Sequence, residues 1–570
     1  MSKRKRKPKS RRNKGAHRPE EKPPSAATAP SGPNVGGAEP TAHSRNASDP
    51  QDSAESGAPQ GDSGRAGRKS RRKKRVLIVT PEITYLPEGM GNMANHLQAK
   101  AGGLADVSAT LAAALYAMDA DVHVALPHYR QMFSVNVGRF INEELRIYKS
   151  KMPEERIHLA EDRIFYYRSH VYDDYAATNM ELALTFQREV INNIIPRVNP
   201  DLVHCNDWMT GLIPAVASRL GIKSLFTVHN IHSLETSLEH IERTGIDARE
   251  FWQHLYYKRL PKGFEESYPD NPVDFLTTGI FASDAINTVS PRFLDEIVAG
   301  QHSFVKDNVF QEIRNKVQKG AAEGVLNSPD PSYNPRTDTA LERNFGPDDA
   351  AEAKRFNKTI FQEYLGLDVD PEAALFFWPS RLDPNQKGCQ LLTEILHRIV
   401  VRYREQNLQV VLVANGPYQK HFNEIVERHE LQRRVSVCAF DERISRMAYG
   451  SADYLFMPSF FEPCGLPQMI GPIYGTLPVA RDTGGIHDTV DQLDADRSTG
   501  NGFLFESYDS QGLAWAVDCA MQFHAQPVEQ RNREIRRIME ESLARFNHDV
   551  TAKRYIAIYR RLLGIEPDSA

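Results

Sequence analysis

The chain has 570 residues, enough for two domains plus extensions, and its 40% hydrophobic and 25% charged residues are ordinary for a water-soluble protein. No apolar run approaches the roughly 20 residues that span a bilayer, and the start is basic without the apolar stretch of a secretory signal. The five cysteines, Cys205, Cys389, Cys438, Cys464 and Cys519, make no C-x-x-C pair, which argues against a zinc site or disulfide framework and suits a reducing, cytoplasmic setting.

The net charge of −4 conceals an asymmetry. Residues 1–75 hold 20 Lys/Arg against 7 Asp/Glu, a balance of +13 that leaves −17 on the rest. Residues 1–74 mix Lys, Arg, Pro, Ser, Gly and acids, cannot build a core and read as a disordered basic tail. Such a tail suits an anionic partner (RNA, an acidic membrane surface or a protein) and equally a solvated extension with no specific ligand.

The first strongly apolar run, 76–79, reads as a buried strand. The stretch 82–99, with Pro87, Gly89 and Gly91, reads as a long loop, and long ordered loops are often functional. Lys-Ala-Gly-Gly-Leu-Ala-Asp-Val follows at 100–107 and leads into a helix over 107–118. Paired glycines before a helix let backbone N–H groups approach a ligand, the helix dipole favours an anion, and Lys100 adds a full charge. A tight turn is the plainer alternative. The run is neither G-x-G-x-x-G nor G-x-x-x-x-G-K-[ST], so the dinucleotide and P-loop readings lack their residues.

Strands at 122–126, 202–204 and 225–228 then alternate with helices at 185–195 and 210–220. A turn-rich stretch, 327–337, separates a second series: strands 375–378, 410–414, 435–439, 454–457 and 477–480, with helices 391–405 and 421–429. A last helix, 551–563, puts Tyr555, Ile558, Tyr559 and Leu562 on one packing stripe. Continuous apolar strands alternating with helices predict parallel sheets covered on both faces. The fold class is α/β, with two Rossmann-like doubly wound domains that bind ligands beyond the C-terminal ends of their strands. The expected division is a tail at 1–74, a first domain at 75–315, a second at 316–548, and a C-terminal helix at 549–570 packing back on the first domain.

Polar clusters recur at these strand ends. After 375–378 come Arg381, suited to bidentate phosphate binding, and Lys387, a point charge. After 454–457 come Ser459-Phe460-Phe461-Glu462-Pro463-Cys464-Gly465-Leu466, and after 477–480 come Thr483-Gly484-Gly485. In the first series, His204-Cys205-Asn206-Asp207-Trp208 and Thr227-Val228-His229-Asn230 each follow a strand. Each cluster alone has a structural explanation, but their shared placement asks for anion cradles on both sides of one cleft.

From about Arg75 to about Leu563 the chain resembles the bacterial glycogen synthases and plant starch synthases, retaining glucosyltransferases that use ADP-glucose. The 100–107 run is similar to that family's K-x-G-G-L-[GA]-D-V. Asp207-Trp208, Thr227-Val228-His229-Asn230, Thr288-Val289-Ser290-Pro291, the Arg381/Lys387 loop, Glu462-Pro463-Cys464-Gly465-Leu466 and Thr483-Gly484-Gly485 match in order. The resemblance implies the glycosyltransferase-B architecture, two Rossmann-like domains facing a cleft, with the nucleotide sugar on the second domain and the α-1,4-glucan acceptor on the first. It implies catalytic roles for Glu462, His229, Asp207, Lys100, Arg381 and Lys387. It assigns ADP-glucose contacts to Lys100, Gly102, Gly103, Asn230, Asn327, Arg381, Lys387, Phe440, Glu462, Cys464, Gly465, Leu466, Thr483, Gly484 and Gly485. Phe440 sits where an aromatic residue stacks on adenine. No metal and no cofactor are expected, and the 82–99 loop becomes a candidate lid or acceptor surface.

Departures are specific. The family's H-x-H-D-W has Asn206 at its second histidine, and its S-R-F-E-P-C-G has Phe460 for arginine. The Arg381-to-Lys387 loop is one residue longer. L-N-G-[IV]-D reads Leu326-Asn327-Ser328-Pro329-Asp330, and A-Y-Q-G after Asn230 is replaced. The competing readings are a transferase of the same fold using another donor such as UDP-glucose or another acceptor, and a catalytically retired glucan-binding protein.

Overall fold

Apolar runs become strands here because helices cover both faces of each sheet, leaving no edge-on alternation to satisfy. The computed structural model describes residues 72–91, 93–133 and 156–565. The basic tail therefore lies outside the described residues, except for Arg72 and Lys74, which both pair with Asp201, and Lys73, which pairs with Asp119.

The first series supplies β1 (Arg75–Val79), β2 (Asp121–Pro127), β3 (Ile157–Ala160), β4 (Leu202–Asn206) and β5 (Lys223–Val228), then β6 (Glu235–Thr236), β7 (Val273–Asp274), β8 (Ala285–Thr288) and β9 (Ala322–Gly324). Seven of these form one parallel sheet in the order β3-β2-β1-β4-β5-β8-β9, while β6 and β7 make a small antiparallel pair. The second series supplies β10 (Leu375–Trp378), β11 (Gln409–Val413), β12 (Val435–Cys438), β13 (Tyr454–Met457), β14 (Leu477–Arg481) and β15 (Phe503–Phe505). They form a second parallel sheet in the order β12-β11-β10-β13-β14-β15. Each sheet winds outward in both directions from its first strand. The switch points therefore lie between β1 and β4 and between β10 and β13, where open α/β sheets bind ligands.

Four sheet strands go beyond the sequence expectation. β9 is three half-buried residues, Ala-Glu-Gly, with no apolar run to announce it. β8 reads Ala-Ile-Asn-Thr, yet is fully buried because its polar side chains are satisfied inside. β3 and β15 are short edge-side strands.

Two loops also differ from expectation. The helix after the glycine pair spans Gly103–Ala117, so Gly103 lies in its first turn and Gly102 is its extended N-cap. The 82–99 stretch is not a free lid: Ile83, Leu86, Met90, Met93, Leu97 and Ala99 are buried in the first core, and Ile83 bridges Ala99. Its apolar side chains are anchors, and a lid would have to expose them.

The helix His548–Leu562 returns to the first sheet, where Tyr555, Ile558 and Tyr559 join the core. At the junction of the two series, Ser290 Oγ donates to Asp488 (2.7 Å), as does the backbone N–H of Arg292 (3.0 Å). Phe461, from the loop after β13, packs against the first core.

Candidate active site

The loop after β1 is shaped by an acid. Glu82 is 3% exposed. Its Oε2 accepts the backbone N–H groups of Ala101 (2.8 Å) and Gly102 (2.9 Å), and its Oε1 accepts the Tyr172 hydroxyl (2.8 Å). Burial raises its pKa above the ordinary carboxylate value despite these donors. Of the two glycine amides expected to cradle a ligand, that of Gly102 is thus taken by the protein itself. Gly103 touches the opposite domain, since a Cβ there would stand 3.4 Å from Leu466 Cδ1. Lys100 pairs with Asp106 at 2.8 Å. Burial disfavours the lysine's charge, but Asp106, with Tyr333 and Glu442 beyond it, outweighs burial and holds its pKa above the usual value.

At the end of β4 the chain turns at Asp207, whose φ of 61° and ψ of 177° are rarely adopted outside glycine. Its Oδ1 accepts the backbone N–H of His229 (2.8 Å) and of Asn230 (3.3 Å). Burial pushes its carboxyl up to about 7, against the pull of those two donors. His229 follows β5, and its Nε2 lies 2.9 Å from Asn206 Oδ1. Burial pushes its imidazole down to about 3, so the ring is neutral. Asn230 is exposed, with its side chain turned back on the Ile231 amide.

Across the junction, the loops after β10 and β13 meet. Lys387 Nζ donates to Glu462 Oε2 at 2.6 Å, and Ser459 Oγ donates to the same oxygen at 3.0 Å. Glu462 is 4% exposed. No described residue bonds its Oε1, so one oxygen is fixed and the other is presented. Arg381 is exposed and its guanidinium has no partner among the described residues. Arg481 braces this loop through the carbonyls of Ser459 (3.4 Å) and Phe460 (2.5 Å).

Thr483-Gly484-Gly485 packs backbone to backbone against that loop. The Gly485 N–H donates to the Glu462 carbonyl at 2.9 Å, and a Cβ on Gly485 would stand 2.1 Å from the Cys464 carbonyl oxygen. Gly484, at φ +47°, gives its N–H to Glu296 Oε1 at 2.9 Å. Glu296 belongs to the helix Pro291–Val298 of the first series and is also bonded to His302 (2.9 Å) and Arg292 (3.3 Å). Burial opposes its charge, but His302, the Gly484 amide and Arg292 together hold its pKa below the usual value.

Cys464 is buried, with the Asn327 backbone N–H directed at its sulfur, and burial pushes its thiol up to about 12. Asn327 Oδ1 is buried without a partner among the described residues. Phe440 follows β12 and is 56% exposed.

The structure thus brings Lys387, Ser459 and Glu462 together, joins Asp207 to His229 and Asn230, and stacks Thr483–Gly485 on Glu462–Cys464. Among the described residues no hydrogen bond or ion pair links Lys100 to Arg381 or Lys387, or Asp207 to Glu462. The same residues contain no group of three or more His, Cys, Asp or Glu side chains able to hold a metal. No described helix is long and apolar enough to cross a membrane. Glu82 and Glu296 escaped the sequence reading. The signal that could have found Glu296 is its place beside Phe293, Leu294 and Ile297 on the buried stripe of its helix.

Residues 75–312 match the starch synthase catalytic domain family and residues 373–522 match the glycosyl transferases group 1 family. With two doubly wound sheets and polar loops at both switch points, these matches define a glycosyltransferase of the two-Rossmann, glycosyltransferase-B type. A glycogen synthase of Moorella thermoacetica is 31% identical over 521 residues, covering 86% of this chain and 97% of its own length. A glycogen synthase of Thermotoga maritima is 31% identical over 491 residues, covering 82% and 96%. The catalytic domain of starch synthase IV from Arabidopsis thaliana, solved with ADP and acarbose, superposes with a TM-score of 0.68 at 24% identity, covering 86% of this chain and 100% of that one. The chain belongs to the glycogen and starch synthase family.

Proposed function

We propose that this protein transfers glucose from ADP-glucose to the non-reducing end of an α-1,4-glucan, with retention of configuration. The observation that carries this reading is the Lys387–Glu462 pair at the second switch point, with one carboxylate oxygen fixed and the other presented. Glucosyl transfer leaves negative charge on the departing diphosphate and positive charge near the anomeric carbon. Lys387 and the unpartnered Arg381 serve the first, and Lys100 joins them from the opposite wall once it exchanges Asp106 for phosphate. The open oxygen of Glu462 serves the second, as carboxylates do for oxocarbenium-like transition states.

Phe440 offers a stacking face for adenine. Asn327, Cys464, Gly465 and Leu466 border the sugar. Gly102, Gly103, Thr483, Gly484 and Gly485 let the backbone approach, while Asp207, His229 and Asn230 contact the glucosyl unit or the acceptor. The amides held by Glu82 and Glu296 become available to phosphate only if those carboxylates move. The relatives' names agree with this reading, and the plant enzyme was solved with ADP and acarbose.

The test is transfer onto glycogen by the purified protein with ADP-glucose and with UDP-glucose. Faster turnover of the adenine nucleotide is expected, and preference for the uridine nucleotide overturns the donor assignment. Glu462→Ala should lower kcat by about 100-fold or more. A variant as active as the wild type refutes the role of Glu462.

The protein is assigned to the cytoplasm, with the basic tail binding an anionic partner. Deleting residues 1–70 should leave kcat unchanged while weakening retention on a polyanion column. A large loss of kcat in the truncated enzyme contradicts this.

A further inference from the structure

Asn206 stands where the family motif has histidine, and its surroundings fix its orientation. It is 4% exposed. One end of its amide lies 3.1 Å from the Val79 carbonyl oxygen and the other lies 2.9 Å from His229 Nε2. A carbonyl only accepts, so the amide nitrogen must face Val79 and the amide oxygen must face His229. The opposite assignment would set two acceptor oxygens against each other inside the core. Facing an oxygen, Nε2 must carry the proton. The ring is neutral, so Nδ1 then bears a lone pair.

No described residue bonds Nδ1, and it is not among the buried polar atoms left without partners. It therefore opens on accessible space at the end of β5, beside Asp207. A histidine at 206 can take up a second proton, present N–H to His229 as well as to Val79, and so leave the tautomer undetermined. An amide oxygen does not.

We propose that Asn206 is a positioning residue that holds His229 as the Nε2–H tautomer, so that His229 Nδ1 accepts a hydrogen bond from a sugar hydroxyl in the cleft. The sugar partner rests on the functional reading above; the tautomer does not. The ring has other ionisable neighbours. Asp207 holds its backbone N–H, Glu82 lies close enough to Asp207 to raise that group's pKa, and His204 feels His229 through space. None of these fixes Nε2.

The experiment is nitrogen NMR of the full chain labelled in histidine, with kinetics on wild type and Asn206→Asp. The wild-type His229 ring should show a protonated Nε2 and an unprotonated Nδ1, with no titration between pH 6 and 8. Asn206→Asp should convert the ring to imidazolium, turning Nδ1 into a donor. Its kcat/KM should fall by about tenfold to a hundredfold, the range expected when a hydrogen bond to a sugar hydroxyl is reversed. Donors or acceptors lacking single hydroxyls should identify one hydroxyl whose removal costs wild type more than the variant.

An Nδ1–H tautomer in the wild type overturns the proposal. So does a folded Asn206→Asp variant with unchanged ring signals and unchanged rates. If Asn206→Asp does not fold, the wild-type spectrum still decides. Failure of ADP-glucose turnover alongside the Nε2–H tautomer overturns the donor assignment and leaves the role of Asn206 standing.

Discussion

Asp207 holds φ 61° and ψ 177° while its carboxylate takes two backbone N–H groups, a combination that a non-glycine residue keeps only where its surroundings over-determine it. Such backbone strain costs about 1–3 kcal/mol, and burying a carboxylate adds to it. Both costs fall at the switch point of the first sheet, where a ligand would meet the side chain. The titration follows from burial. In the unfolded chain this carboxyl loses its proton near pH 4, whereas in the fold burial holds it to about 7. Between those values the folded state binds the extra proton, so stability falls as pH rises through the window. Asp207→Asn keeps the acceptor oxygen and the tolerance for positive φ but removes the titration. Chemical denaturation of wild type from pH 4 to 8 should show a downward slope that is weaker in Asp207→Asn. Equal slopes would mean that the carboxyl is not held protonated.

Among the elements, apolar runs were legible and polar ones were not. Leu375–Trp378 and Tyr454–Met457 are uninterrupted apolar tetrads and coincide with their strands, whereas buried β8 carries Asn287, whose side-chain partners Thr227 and Tyr555 lie far away in sequence. The site divides along the same line. Lys387 and Glu462 announce themselves as charges after apolar strands, and they meet. Glu82 and Glu296 do not, because their partners are backbone amides 19 and 188 residues away, a relation that no local pattern encodes. The sequence suggests ligand cradles at the glycine pairs, but their first demand is internal. A methyl at Gly485 would overlap the Cys464 carbonyl, whose loop also carries Glu462. Gly485→Ala must push the two loops apart, costing about 1–3 kcal/mol or more for the overlap. A lowered denaturation midpoint together with reduced kcat is expected. Unchanged values for both would show that the close approach of the two loops is dispensable.

At the scale of the whole molecule, the chain end returns from the second series to pack on the first sheet. The buried side of His548–Leu562 meets β4, β5 and β8 through polar contacts whose donors and acceptors are all determined. Thr227 Oγ1 donates to Asn287 Oδ1 at 2.7 Å, so it can only accept from His204 Nε2 at 2.6 Å. That fixes His204 with a bare Nδ1, and the Tyr559 hydroxyl must donate to it at 2.8 Å. Burial pushes the His204 imidazole down to about 3, so the ring stays neutral and cannot rescue the chain of bonds by taking a second proton. Asn287 Nδ2 closes the set by donating to Tyr555 Oη at 3.1 Å. A fully satisfied buried network rigidifies a contact, and the same network with one member missing is costly. Tyr559→Phe keeps the ring's packing and deletes only the hydroxyl, leaving the His204 lone pair unpartnered in the core. The expected loss is about 1–3 kcal/mol of unfolding free energy, read as a lowered denaturation midpoint. Tyr559→Phe combined with His204→Leu removes both ends of the bond and should recover part of that loss, although Thr227 Oγ1 then loses the His204 N–H that it accepts. A double variant less stable than the sum of the two single changes would show that His204 holds the C-terminal helix by something other than this bond.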